Sequence, residues 1–125
     1  MNKAETDMRA VLAAPPSLNH YGFGLFDRKG KTTQQIEEEL AEKRSAMLDA
    51  ESLERFEKAR GWLRRFEKQK RIHHRGTSYG LKHVAAREIG YVTNGVFIAA
   101  AIAENFTISQ SGPNAIMNIS PKAWS

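Results

Sequence analysis

The sequence predicts a mainly α-helical fold with a small β-hairpin towards its C-terminal end, on three observations. Apolar residues recur at helical spacing twice, as Ile36, Leu40 and Met47 and then as Phe56, Ala59, Leu63 and Phe66. Two apolar segments meet at a single glycine in "HVAAREIGYVTNGVFIAAAI" (83–102). Two alternating runs, "FTIS" (106–109) and "AIMNIS" (115–120), flank "QSGPN", whose Gly-Pro-Asn is turn chemistry. With 125 residues, 41% of them hydrophobic, the chain has enough apolar surface for one packed core.

Each element has a local reason. Residues 2–13 predict a short helix stopped by Pro15-Pro16. The glycine-bearing stretch 15–31 reads as an irregular arm, with Tyr21, Phe23 and Phe26 expected to pack onto the body. Thr32 and Gln35 form a capping box for a helix over 33–48. The stripe 36, 40, 43, 47 would continue to 54, yet the next one includes 56. The slip falls at "LDAES", where Asp49 or Ser52 can cap a second helix over 50–70; one kinked helix is the alternative. "RIHHR" (71–75) predicts a short strand. Thr77-Ser78 caps a helix over 79–89 with Leu81, Val84, Ala85 and Ile89 inward. Gly90 ends it, and Thr93 caps the last helix, 94–104. The expected organisation is an N-terminal arm and helix (1–49) packing on a body (50–125).

Charge is unevenly placed. Residues 1–54 hold seven Lys/Arg against ten Asp/Glu, residues 55–90 eleven against three, and residues 91–125 one of each. A basic middle suggests an anionic partner, above all nucleic acid. Arg60, Arg64, Lys68 and Arg71 follow one another at three- and four-residue steps, which predicts one basic ridge on a continuous helix. Arg75 and Lys82 extend it, and the helix start at Thr77 and Ser78 offers backbone N–H groups to a phosphate.

Several function classes lose support. The chain has no cysteine, which excludes disulfides and thiolate zinc sites and suits a reducing cytoplasm. Its start lacks a signal-peptide apolar region, and the longest apolar run, "VFIAAAIA", is far below the roughly 20 residues that span a bilayer. A cytoplasmic protein without a membrane partner is expected. Adjacent His73 and His74 would point to opposite faces of a strand, and no metal, nucleophile or phosphate-loop pattern occurs. The expectation is a non-enzyme without cofactor or metal.

From residue 50 the predicted order is helix, strand, helix, helix, strand, strand. Ala86, Gly90 and Val96 fall where a steep helix crossing needs a small residue, a turn and an apolar contact. Over about 50–120 the chain therefore resembles the winged helix-turn-helix superfamily, after an N-terminal helical extension. The resemblance implies a DNA-reading face on the second motif helix, here Thr93, Asn94, Phe97, Ile98 and Ala101. Thr93 and Asn94 offer hydrogen bonds to nucleic acid, whereas Phe97 and Ile98 suit an exposed protein-binding strip. "TSYGLKHVAAREIGYVTNGVFIAAAI" with "GPNAIMNIS" also resembles small proteins of bacterial plasmids, phages and other mobile elements. The sequence thus favours a nucleic-acid-binding protein of a mobile element that contacts the phosphate backbone. The alternative is a phage- or plasmid-encoded inhibitor of the anti-CRISPR type that binds a host defence complex.

Overall fold

A computed structural model describes residues 2–25, 28–72 and 74–125; Phe26 and His73 lie outside the described residues. Helix α1 (Lys3–Leu12) begins where the Asn2 side chain accepts a hydrogen bond from the Glu5 N–H, and it buries Met8 and Val11. The arm that follows is more ordered than expected. Strands β1 (Leu18–Asn19) and β2 (Gly22–Phe23) pair antiparallel, with Leu18 opposite Phe23. Leu18 and Phe23 are buried, whereas Tyr21 is exposed.

Helix α2 (Thr33–Ser45) carries the predicted capping box: the Thr32 hydroxyl accepts from the Gln35 N–H while the Gln35 side chain accepts from the Thr32 N–H. Its Ile36 and Leu40 are only half-buried. Its main structural work falls to Arg44, whose guanidinium donates to the carbonyls of Leu12, Pro15, Pro16 and Leu18. Those carbonyls lie at the end of α1, in the turn after it and in β1, so one planar five-donor group ties all three to α2. A 3₁₀ turn (Ala46–Leu48) puts Met47 in the core. Helix α3 (Ala50–Leu63) then starts afresh at Asp49, whose carboxylate accepts from the Ser52 N–H at 2.8 Å. The phase slip is therefore a break between two helices.

Helix α3 ends seven residues short of the predicted 70. Arg65 and Phe66 tighten onto the carbonyls three residues back, and the chain then leaves to pair elsewhere. The Gln69 N–H donates to the Asn118 carbonyl, and the Ser120 N–H donates to the Glu67 carbonyl. This makes Lys68 and Ile119 an antiparallel bridge. The extended pairing lies there, and the described residues of 71–75 form no strand.

Helices α4 (Ser78–Ile89) and α5 (Asn94–Ala103) flank Gly90, which takes a φ of 83° that favours glycine. Strands β3 (Ile108–Ser111) and β4 (Asn114–Met117) form the expected hairpin, followed by a 3₁₀ turn (Pro121–Trp124). Among the described residues the fold is thus five α-helices with two small antiparallel strand pairs.

Helix α5 lies at the centre. Every residue from Asn94 to Ala101 is buried, because a helix apolar on all sides is stable only when surrounded. Helix α3 packs against it, α1 touches both, and the β1–β2 hairpin sits on its first turn. Gly95 permits that approach: a Cβ there would fall 1.7 Å from the Asn19 carbonyl oxygen. One continuous core therefore joins Met8, Val11 and Leu18 to Phe56, Phe97 and Ile119. No helix among the described residues is long and apolar enough to cross a membrane.

Candidate nucleic-acid interface

The proposed reading face is not a surface. Phe97 and Ile98 have no exposed area, and Ala101 is equally buried, so the expected protein-binding strip is core. Its covers are α1, α3 and the N-terminal hairpin, none of which the spacing of apolar residues within α5 could reveal. Thr93 is spent locally, accepting from the Val96 N–H as the helix cap.

Asn94 and Ser78, expected to meet nucleic acid, meet each other instead. The Ser78 hydroxyl donates to Asn94 Oδ1 at 2.8 Å and accepts from the Ala115 N–H at 3.0 Å. The Asn94 amide nitrogen donates to Asn114 Oδ1 at 2.8 Å and lies 3.3 Å from the Tyr21 carbonyl oxygen. This buried network ties α4, α5 and both hairpins together, and it holds Ser78 and Asn94 inside the fold, away from a ligand at the surface. Thr77 is half-buried and makes no side-chain cap hydrogen bond to α4.

The ridge is broken as well. Arg60 is buried at 7% exposure and donates to Asp7 at 2.7 Å, Glu104 at 2.6 Å and Glu57 at 3.1 Å. Burial alone would lower its pKa, but hydrogen bonds to Asp7 and Glu104 outweigh it and raise the value. Arg64 donates through two nitrogens to the same Glu104, at 2.8 and 3.0 Å. Arg60 therefore holds α1, α3 and the end of α5 together and has no charge left for phosphate. The continuous ridge assumed a helix running to 70; α3 stops at Leu63, so Lys68 and Arg71 leave the line of Arg60 and Arg64.

These pairs predict an acid response. Burial pushes the Glu104 pKa up, and hydrogen bonds from Arg64 and Arg60 more than reverse this, leaving it below its ordinary value. A carboxyl with a lower pKa folded than unfolded stabilises the fold above its unfolded value, about 4.3, and loses that contribution as pH falls through the folded one. The gap in urea midpoint between wild type and Glu104→Gln should be constant above pH 5 and close in more acid solution. A gap of the same size at pH 3 would refute this role.

Exposed cations are densest in the stretch that follows α3. From 64 to 75 the chain has six Lys/Arg against one Glu. The loop is held at both ends. Residues 67–69 are paired to 118–120, with the Asn118 side chain donating to the Gln69 carbonyl at 2.8 Å. At the other end Trp124 packs so closely on Gly76 that a Cβ there would lie 2.5 Å from its ring. Lys70, Arg71, His74 and Arg75 are exposed between these clamps. Lys70 and Arg71 enter no ion pair among the described residues. Lys68 lies over the Phe106 ring, 4.8 Å from its centroid, with its side chain exposed. Of the sequence ridge, Lys68, Arg71 and Arg75 are exposed in this stretch; Lys70, which falls off the helical repeat, is exposed beside them.

Helix α4 follows this stretch in the chain. Tyr79, His83 and Arg87 stand four residues apart on its exposed side. Lys82, taken from sequence as a surface cation, is buried; its ammonium lies 5.0 Å from the Tyr79 ring centroid and 5.3 Å from that of Tyr91. Burial lowers its pKa. Sequence reasoning missed the two tyrosines, although one lies in the first turn of the helix that carries Lys82 and the other just beyond its end. Behind Tyr91 a cavity of about 160 Å³ is lined by His20, Asp49, Arg55 and Thr93, among others. In comparison with known proteins, no family model, curated protein or solved structure matches the chain.

Proposed function

We propose that this protein is a winged helix-turn-helix-type domain that binds nucleic acid through the phosphate backbone and does not read bases with α5. One observation carries the reading: Lys68, Lys70, Arg71, His74 and Arg75 are exposed on a stretch held at 67–69 and at Gly76, so cations are presented from a fixed frame. A clamped loop loses less conformational freedom on binding, and each neutralised phosphate releases condensed counterions. The element order from α3 onward, with Lys68 bridged to Ile119 beside β4, supports the winged reading. A protein-binding inhibitor of a host defence complex loses the anchors it would need, since Phe97 and Ile98 are fully buried.

The test is a salt titration of polynucleotide affinity. For wild type, log K should fall linearly with log salt, by about 0.7–0.9 per phosphate neutralised. Lys70→Glu with Arg71→Glu should weaken binding more than about 10-fold near 50 mM salt and flatten the slope by roughly two contacts. Salt-independent binding, or a double variant that binds like wild type, would remove the proposal.

A further inference from the structure

The geometry points to a single-stranded polynucleotide, not a duplex, as the occupant of this surface, with Tyr79 and Tyr91 as its base-stacking platform. The inference rests on the backbone-binding reading above and adds the form of nucleic acid to it.

Two sets of observations favour an unpaired strand. The first concerns what a duplex would need. A helix in the major groove must protrude, and α5 is enclosed on all sides. The β3–β4 tip is also engaged: the Phe23 N–H donates to the Pro113 carbonyl at 2.9 Å. A Cβ on Gly22 would lie 2.2 Å from that same oxygen. The chain's own N-terminal hairpin therefore occupies both elements with which this fold type would grip a duplex.

The second set concerns what is left exposed. Among the described residues the exposed large apolar side chains are Tyr21, Tyr79 and Tyr91, at 43%, 54% and 66%. Two of these three stand around one ammonium. Because Lys82 lies 5.0 and 5.3 Å from their centroids, the rings are within about 10 Å of each other. That is a span of only a few nucleotides at about 3.4 Å of rise per base on one strand. The buried Lys82 ammonium contacts both rings, a cation–π arrangement that fixes the platform in place. Tyr79 is the second residue of α4 and stands four residues after Arg75, so the basic loop leads directly into the platform. An exposed aromatic face beside a cationic track is how proteins hold unpaired strands without sequence preference, because every base offers a face to stack on. In a duplex those faces are already stacked and the rings would have no partner.

The experiment compares fluorescence anisotropy of labelled dT20, labelled U20 and a labelled 20-base-pair duplex, using the full chain. Wild type should prefer the single strands by 10-fold or more; dT20 against U20 shows whether the strand is DNA or RNA. Tyr79→Ala and Tyr91→Ala should each weaken single-strand binding by about 5- to 100-fold and leave duplex binding unchanged. Tyr79→Phe and Tyr91→Phe keep the ring face and should bind as wild type does. A titration of the wild-type protein with dT20, followed by NMR, should shift the ring resonances of Tyr79 and Tyr91; this readout needs no variant to fold. Equal affinity for duplex and single strand, alanine variants that bind like wild type, or unmoved tyrosine resonances would each overturn the inference. If binding still depends on Lys70 and Arg71 in that case, the backbone reading survives alone. No binding to any of the three probes would overturn both.

Discussion

Gly95→Ala is expected to dislodge the N-terminal hairpin from α5 and lower the melting temperature by on the order of 10 °C. The cause is one methyl group. The new Cβ would sit 1.7 Å from the Asn19 carbonyl oxygen and within 3 Å of the His20 backbone, inside the contact distance of any atom pair. Neither side yields easily. The Gly95 N–H donates to the His20 carbonyl at 3.2 Å, and Asn19 is fixed by its own amide, which donates to the Ser17 and Gly24 carbonyls. The substitution thus overpacks a backbone-to-backbone contact, for which about 3 kcal/mol, the upper end of the usual overpacking range, is a reasonable expectation. Alanine normally favours a helix over glycine by about 1 kcal/mol, so a loss of stability would isolate the tertiary contact from helix propensity. Hydrogen exchange gives a sharper readout: the amides of Phe23 and Gly24, bonded to Pro113 and Ser17, should lose protection while those of α3 keep theirs. A variant with unchanged melting temperature and a protected Phe23 amide would show that the hairpin does not depend on this approach.

Arg60→Ala should destabilise the protein by about 3 kcal/mol or more, the range for removing one partner of a buried ion pair. The loss is not mainly of packing. Glu104, whose side chain is 12% exposed, would keep only the exposed Arg64 as its partner, and Asp7 would lose its 2.7 Å bond. Arg60→Met tests the distinction, since it restores apolar side-chain volume beside Phe56 while still removing the guanidinium shared by Asp7 and Glu104. Methionine should recover little at neutral pH and more in acid, where the carboxyls are neutral. If Arg60→Met were as stable as wild type at pH 7, the charge network would be dispensable. Neither variant should alter polynucleotide affinity while folded, because Arg60 does not reach the surface that Lys70 and Arg71 occupy.

The contrast between Arg60 and Arg71 explains how the sequence misleads on charge. Both are arginines in one basic run, at the same step of the same repeat. Arg60 pairs with Asp7 and Glu104, which lie 53 and 44 residues away, and no local pattern announces either. Arg71 falls in a stretch that leaves the helix because residues 67–69 pair with 118–120, again a distant cause. Tyr79 and Tyr91 become a platform only because the turn at Gly90 brings the second back towards Lys82.

The features legible along the chain are those whose causes lie within four residues. These are the capping box at Thr32 and Gln35, the fresh helix start at Asp49, the cap at Thr93, the glycine turn at Gly90 and the turn between β3 and β4. Each is a hydrogen bond or backbone conformation that neighbouring residues settle among themselves. Where α3 ends, what covers α5 and which cations stay at the surface depend instead on contacts between distant segments. Burial and ion pairing are relations between segments, so the same Phe97 that reads as an exposed anchor in a lone helix becomes core once α1, α3 and the N-terminal hairpin close around it.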